Sequence, residues 1–264
     1  MQTKIVGILN YTPNSFSDGG DFFDLTAAQK HFEEMLEDGA NIIDIGSNST
    51  SYNRILLSAE EEWSMVQRLL HIVAPKYGHL ISLDTFYSEN AEKAVDLGVH
   101  IINDVGAAKD QKMIDVIEKN KHTLYVFMCS IVLPANKEIR VKTREEIYNF
   151  AKSKLDLFQE KGIESTRVIF DPGIGFATNP ALSLKVIAEL SFFKSLNVPI
   201  YIGHSRKSFL EFMTKFPPQG RDIETLAASL YMILQGVDYL RVHNVNIHVR
   251  AMKILEAMCS SILH

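Results

Sequence analysis

Short runs of β-branched and aliphatic residues recur along the chain, separated by segments whose apolar positions return every three or four residues. The runs fall at residues 5–9, 42–45, 80–83, 100–102, 123–127, 168–170, 200–202 and 239–242. They are apolar almost throughout, the pattern of strands buried on both faces of a parallel sheet. Helical periodicity covers 26–38, 59–74, 88–97, 144–161 and 224–235. Ser58 before Ala59-Glu60-Glu61, and Thr143 before Arg144-Glu145-Glu146, read as N-caps with acids in the first turn. Gly39, Gly98, Gly162 and Gly236 each close a helical stretch just ahead of a strand, where a left-handed C-cap glycine belongs. Before the last strand the helix looks doubled, 207–215 and then 222–235, with Pro217-Pro218 as the break. Eight strands alternating with helices predict an α/β fold, a single (β/α) TIM-type barrel of eight parallel strands. An open doubly wound sheet is the alternative. No linker or low-complexity tract interrupts the pattern, so residues 1–264 read as one domain.

Composition narrows the function without naming it. The 264 residues are 46% hydrophobic and 22% charged, which excludes disordered and fibrous classes. A net charge of −5 gives no basic coat for nucleic acid. Two cysteines, Cys129 and Cys259, exclude a disulfide framework or a cysteine zinc site and fit a reducing, cytoplasmic setting. No apolar run approaches the ~18 residues of a membrane span, and no signal peptide is expected at the start.

The polar residues at the strand ends carry the chemistry. Asn10, Asp44, Asp84, Asn103 with Asp104, Cys129, Asp171, Ser205-Arg206-Lys207, and Arg241 with His243 each stand at or just after an apolar run. In a barrel these points share the carboxyl rim, where active sites are built. Any one Asp or Asn there is commonly a turn former, but nearly all the strand ends converging on one rim is a stronger signal. Carboxylates and amides suit a heterocycle rich in N–H and C=O groups. Arg206, Lys207, Arg241 and His243, after the last two strands, suit an anion. Gly173 and Gly175 in Asp171-Pro172-Gly173-Ile174-Gly175-Phe176 suggest a tight loop under a flat ligand, with Phe176 available for stacking, and not a dinucleotide fingerprint. His31, His71, His79, His100, His122, His248 and His264 show no ligand spacing, so zinc is not expected.

The residues 7–20, Gly-Ile-Leu-Asn-Tyr-Thr-Pro-Asn-Ser-Phe-Ser-Asp-Gly-Gly, closely resemble the opening signature of dihydropteroate synthases. The resemblance continues through Asp44-Ile45-Gly46, Leu83-Asp84-Thr85, Ile102-Asn103-Asp104, the Asp171–Phe176 block, Ser205-Arg206-Lys207-Ser208 and Arg241-Val242-His243, in the family's order and over almost the whole chain. The resemblance implies condensation of 6-hydroxymethyl-7,8-dihydropterin diphosphate with p-aminobenzoate, releasing pyrophosphate. It implies that Asp84, Asn103, Asp171 and Lys207 hold the pterin, with Met128 and Phe176 flanking it and Gly203 letting the ring pass. Asn10, Arg241 and His243 would bind the diphosphate, with Mg²⁺ on Asn10. Asp44 would line the centre where the substrates meet, and Ser205 and Thr50 the aminobenzoate side. Asp44, Lys207, Arg241 and His243 are the expected catalytic set, Arg241, His243 and Mg²⁺ supplying positive charge to the leaving group. A homodimer is implied as well. Corrinoid-dependent pterin methyltransferases share the barrel and pterin pocket, but the Ser-Arg-Lys-Ser and Arg-Val-His blocks favour the synthase branch.

One segment departs from the family. The usual Gly-Glu-Ser-Thr-Arg-Pro-Gly after the second strand is here Ser47-Asn48-Ser49-Thr50-Ser51-Tyr52-Asn53, with spacing to Ser58 preserved. Cys129, Thr178 and Asn244 stand where histidine, lysine and aspartate are usual. Sulfonamide-resistance synthases also depart in this loop, so a drug-tolerant enzyme is expected. A divergent paralogue that binds pterin without making dihydropteroate is the alternative.

Overall fold

The computed structural model describes residues 3–11, 25–47, 56–133 and 138–262. Eight strands are found among them: β1 (Lys4–Asn10), β2 (Ile42–Gly46), β3 (Ile81–Asp84), β4 (Ile101–Asp104), β5 (Leu124–Met128), β6 (Val168–Asp171), β7 (Tyr201–Ile202) and β8 (Tyr239–Val242). They pair in the order β6-β5-β4-β3-β2-β1-β8-β7, every pair parallel. A parallel bridge from Phe170 to Ile200 brings β6 and β7 together and closes the ring. This is the predicted eight-stranded (β/α) barrel.

The helices are α1 (Leu25–Glu37), α2 (Ala59–Tyr77), α3 (Ser88–Asp96), α4 (Lys112–Lys119), α5 (Arg144–Glu160), α6 (Pro180–Ala188), α7 (Ser208–Thr214), α8 (Asp222–Leu234) and α9 (Val245–Ile262). Ser58 caps α2 in a reciprocal box: its Oγ accepts from the Glu61 N–H at 3.2 Å and its own N–H donates to Glu61 Oε2 at 2.7 Å. Thr143 Oγ1 caps α5 by accepting from the Glu146 N–H at 3.2 Å. The four expected C-cap glycines have φ between 76° and 96°. The doubled element before β8 is α7 and α8, joined by a 3₁₀ turn at Pro218–Gly220.

Most strand limits differ from the sequence reading by one or two residues. β3, β4 and β5 start one residue later than expected and run on to Asp84, Asp104 and Met128. At β3 and β4 an apolar-run criterion stops at the first polar side chain, whereas the ladder needs only backbone N–H and C=O groups. The short β7 precedes Gly203, where the wall opens toward the rim.

Two apolar cores result. Inside the ring, Val6, Ile42, Ile101, Val126, Ile169, Tyr201 and Tyr239 fill the lower barrel. Outside it, strand residues such as Ile43, Ile45, Phe127 and Phe170 meet helical residues such as Phe32, Leu69, Phe158 and Phe193. Phe158 stands edge-on to Tyr125 and Phe127, with ring centroids 5.4 and 5.2 Å apart. Each such aromatic contributes on the order of 1.5–3 kcal/mol by burial. The inner core ends below the carboxyl rim, and polar side chains take over there.

Candidate active site

Asp44 is the centre of the rim. It points inward from β2, fully buried, and its Oδ2 accepts from Asn103 Nδ2 at 3.1 Å and from Arg241 Nε at 2.6 Å. Arg241 Nη2 donates to Asp84 Oδ2 at 3.0 Å. Side chains from β2, β3, β4 and β8, far apart in sequence, are thereby locked into one cluster. Asp84 is pushed up to about 7 by burial, which Arg241 opposes and the neighbouring Asp44 reinforces. Burial works against the charge on Arg241, but Asp44 and Asp84 more than offset it and raise its pKa, so it stays a cation.

The opposite side of the rim is built by the loops after β6 and β7. Asp171 ends β6, and its Oδ1 accepts from the Gly173 N–H at 2.7 Å. Gly173 has φ 74°, and a Cβ on it would sit 2.2 Å from the Cys129 carbonyl oxygen, so only glycine fits this turn. Lys207 Nζ donates to the Ile174 carbonyl at 2.6 Å and lies 4.4 Å from the centre of the Phe176 ring. Burial lowers Lys207 to about 8, against the attraction of Asp171, and raises Asp171, against the attraction of Lys207. A Cβ on Gly203 would lie 3.7 Å from both Arg241 Cδ and Asp171 Oδ2, so the missing side chain keeps the space between them open. Met128, buried at the end of β5, is paired in register with Asp171.

Ser205 and His243 form a third group. Ser205 Oγ accepts from the His243 N–H at 3.2 Å and lies 2.9 Å from its Nδ1. Burial, then the nearby Arg206 and Arg241, pull His243 down to about 3. With its pKa this low the ring is neutral near pH 7, where it can offer an anion a hydrogen bond. Arg206 is held in a bidentate pair with Asp222, at 2.7 and 3.0 Å. Asn10 is exposed at the end of β1. Thr50, the altered segment 48–53 and the opening-block residues 12–20 lie outside the described residues.

Two strand-end residues prove structural. Asp104 accepts from the N–H groups of Gly106 and Ala108 at 2.6 and 2.7 Å and from Tyr125 Oη at 2.7 Å, so it holds the loop after β4. Cys129 is buried, its thiol pushed up to about 12 by burial and then by Asp171. Thr178 accepts from the Gly175 N–H at 2.9 Å, and Asn244 Nδ2 donates to Asp222 Oδ2 at 3.0 Å.

Two supporting residues have no role in the sequence reading. Glu62, in the first turn of α2, is fully buried and accepts from Thr85 Oγ1 and from Asn90 Nδ2, the latter at 2.9 Å. It braces the residue next to Asp84. Its place on the buried stripe with Val66, Leu69, Leu70 and Val73 is the signal that marks it. His204, also fully buried, sits 2.8 Å from Ser229 Oγ and 3.1 Å from the Thr225 carbonyl, tying the loop after β7 to α8.

The rim as a whole is a recess of carboxylates, one carboxamide and two half-buried cations. It can pair with the N–H and C=O edge of a flat heterocycle and hold an anion beside it. A family model described as pterin binding enzyme matches residues 6–243. The dihydropteroate synthase of Clostridium beijerinckii is 35% identical over 257 residues, covering 97% of this chain and 94% of that protein. The Anaplasma phagocytophilum dihydropteroate synthase, solved with bound 6-hydroxymethylpterin-monophosphate, superposes with a TM-score of 0.87 at 30% identity, covering 98% of this chain and all of that one. The Xanthomonas albilineans dihydropteroate synthase, solved with 4-aminobenzoic acid, gives 0.90 at 30% identity over 97% of this chain and 93% of that one. By its rim, its barrel and these relatives, the chain belongs to the pterin-binding enzyme family, in the dihydropteroate synthase branch.

Proposed function

We propose that this chain condenses 6-hydroxymethyl-7,8-dihydropterin diphosphate with p-aminobenzoate, forming 7,8-dihydropteroate and releasing pyrophosphate. The observation that carries this reading is the linked Asn103–Asp44–Arg241–Asp84 cluster facing Asp171 and Lys207 across one recess. Asp171, Asp84 and Asn103 would meet the pterin's ring donors and acceptors, and Lys207 a ring acceptor. Phe176 and Met128 would flank the ring, with Gly203 leaving it room.

In the reaction the methylene C–O bond breaks with its electron pair leaving on the diphosphate, an N–C bond to the aminobenzoate nitrogen forms, and that nitrogen gives its proton to the departing pyrophosphate or to water. Positive charge develops on the methylene and its conjugated ring, where the Asp44 carboxylate stabilises it. Arg241 and a hydrogen bond from His243 would receive the diphosphate, with Asn10 at its outer edge. The amine is neutral, so the aminobenzoate side, with Ser205 and Thr50, contributes position and not activation.

Magnesium fits the rim in a limited way. Asn10 offers one exposed neutral oxygen, suited to a hard cation that draws its other ligands from phosphate and water. When bound there it would neutralise charge on the leaving diphosphate. Among the described residues no group of three or more His, Cys, Asp or Glu could hold a metal by itself.

A homodimer and a cytoplasmic setting belong to the same reading. Phe212 and Met213 on α7, Ile223 and Leu234 on α8, and Ile254 and Met258 on α9 are exposed apolar side chains that a second copy would cover. Among the described residues no helix is long and apolar enough to cross a membrane.

The test is pyrophosphate release with the pterin diphosphate alone, with p-aminobenzoate alone and with both. Release and dihydropteroate formation only with both substrates support the proposal. Pterin binding by calorimetry without turnover would replace it with the binding-only alternative.

A further inference from the structure

Three polar side chains in the barrel interior carry an atom with no hydrogen-bond partner among the described residues: Asp44 Oδ1, Ser82 Oγ and Tyr201 Oη. All three residues are buried, at 0%, 1% and 2% exposure. Ser82 on β3 is paired in register with Asp44 on β2, and registered neighbours share a face, so both enter the barrel side by side. Tyr201 belongs to the inner core and packs its ring 6.1 Å from that of Tyr239, its register partner on β8. It stands two residues before Gly203, one layer below the rim.

Tyr201 shares its face of β7 with Gly203, whose Cβ position is 3.7 Å from Arg241 Cδ and Asp171 Oδ2, so its ring lies beneath the rim. The charged groups that act on it are Asp44 foremost, then Arg241, Asp171 and Asp84, all of them rim residues. Burial and the adjacent Asp44 raise its pKa well above the ordinary value, so it remains an O–H donor. None of the three atoms bonds another directly. Two hydroxyls and a carboxylate oxygen buried without partners in the same barrel interior suit a water molecule, which takes two to four polar partners there.

We propose that Tyr201 is a positioning residue for Asp44: its hydroxyl, the Ser82 hydroxyl and Asp44 Oδ1 together hold one internal water beneath the floor of the pterin site. The water donates to Oδ1, while Oδ2 keeps its bonds from Asn103 and Arg241. With both oxygens engaged, the carboxylate cannot turn about its terminal torsion, and its charge stays aimed at the reacting methylene. The catalytic consequence rests on the synthase reading; the water site does not.

The test combines crystallography, stability and kinetics on the full chain and on Tyr201→Phe, Ser82→Ala and the double variant. A water within hydrogen-bonding distance of Asp44 Oδ1 and Tyr201 Oη is expected in the wild type and lost in the variants. Both single variants should lower Tm, and the double variant should fall short of their sum, because they share one bridge. In turnover, Tyr201→Phe should lose about tenfold in kcat with KM for the pterin diphosphate little changed, as the water and its hydrogen bond to the Asp44 carboxylate are lost. A dry pocket overturns the proposal, as does Tyr201→Phe with a raised Tm or wild-type kcat. Should Tyr201→Phe fail to fold, Ser82→Ala carries the same three readouts. A wild type without synthase activity defeats the proposed function, while the water and the stability coupling are still read.

Discussion

Replacing Arg241 by Gln removes the one cation shared by Asp44 and Asp84, and its effect follows from the geometry. Two hydrogen bonds to charged groups are lost, at 2.6 and 3.0 Å. Each is worth about 1.5–3 kcal/mol, so the whole loss would reach roughly 3–6 kcal/mol if neither carboxylate could respond. Asp84 can respond. Its folded pKa of about 7 lies above the ordinary 3.8, so between those values the native state holds a proton that the unfolded chain has released. In the wild type this group's contribution to stability therefore rises as pH falls from 7 toward 4 and declines as pH rises through 7. Without Arg241, Asp84 is driven further up and stays protonated where the wild type has ionised. At pH 6 both forms are mostly protonated at Asp84, and the variant loses only the Asp44 share, about 1.5–3 kcal/mol. Between pH 6 and 8 the wild type releases that proton and the variant does not, which adds roughly 1 kcal/mol to the difference. Urea unfolding of both proteins at pH 6 and pH 8 measures this. A destabilisation that is equal at both pH values, or smaller at pH 8, refutes the coupling between Arg241 and Asp84.

Three further predictions concern the ligands. Asp171→Asn should weaken pterin binding by about 2–4 kcal/mol in calorimetry, because its amide sets a donor against ring donors; unchanged binding removes Asp171 from the site. The pH dependence of kcat/KM for the pterin diphosphate should be a narrow bell, its acid limb near 7 from protonation of Asp84 and its basic limb near 8 from loss of charge on Lys207. Lys207→Arg should abolish the basic limb, and a profile flat from pH 6 to 9 would contradict both assignments. Ser51→Arg with Tyr52→Pro should tighten p-aminobenzoate and sulfonamide binding together, by roughly 10- to 150-fold for one regained charge-assisted hydrogen bond; strong sulfonamide inhibition of the wild type would refute the expected drug tolerance.

The barrel was legible in the chain because a strand buried on both faces must be apolar nearly throughout, and eight such runs alternate with helical periodicity. The rim was legible as well, since any polar residue closing those runs has nowhere to go but the carboxyl end of the barrel. Asn10, Asp44, Asp84, Asn103, Asp171, Lys207 and Arg241 could therefore be named in advance. Which of them touch could not. Arg241 lies 197 positions from Asp44, and only the pairing of β8 with β1, which pairs in turn with β2, brings its guanidinium between two carboxylates. The charge state of His243 was equally beyond the sequence, because its residue type suggests a cation and burial among arginines makes it neutral. Asp104, one residue from Asn103, turned out to be a loop brace, because successive strand residues face opposite sides. Glu62 was passed over in the sequence, and its work under Thr85 appears only when the first turn of α2 is brought against the end of β3. Local pattern thus decides which residues reach the rim, since side-chain alternation and hydrophobicity act over a few positions. Pairing, protonation and support are decided by the closed barrel, because they depend on groups that only tertiary packing makes neighbours and on the water it excludes.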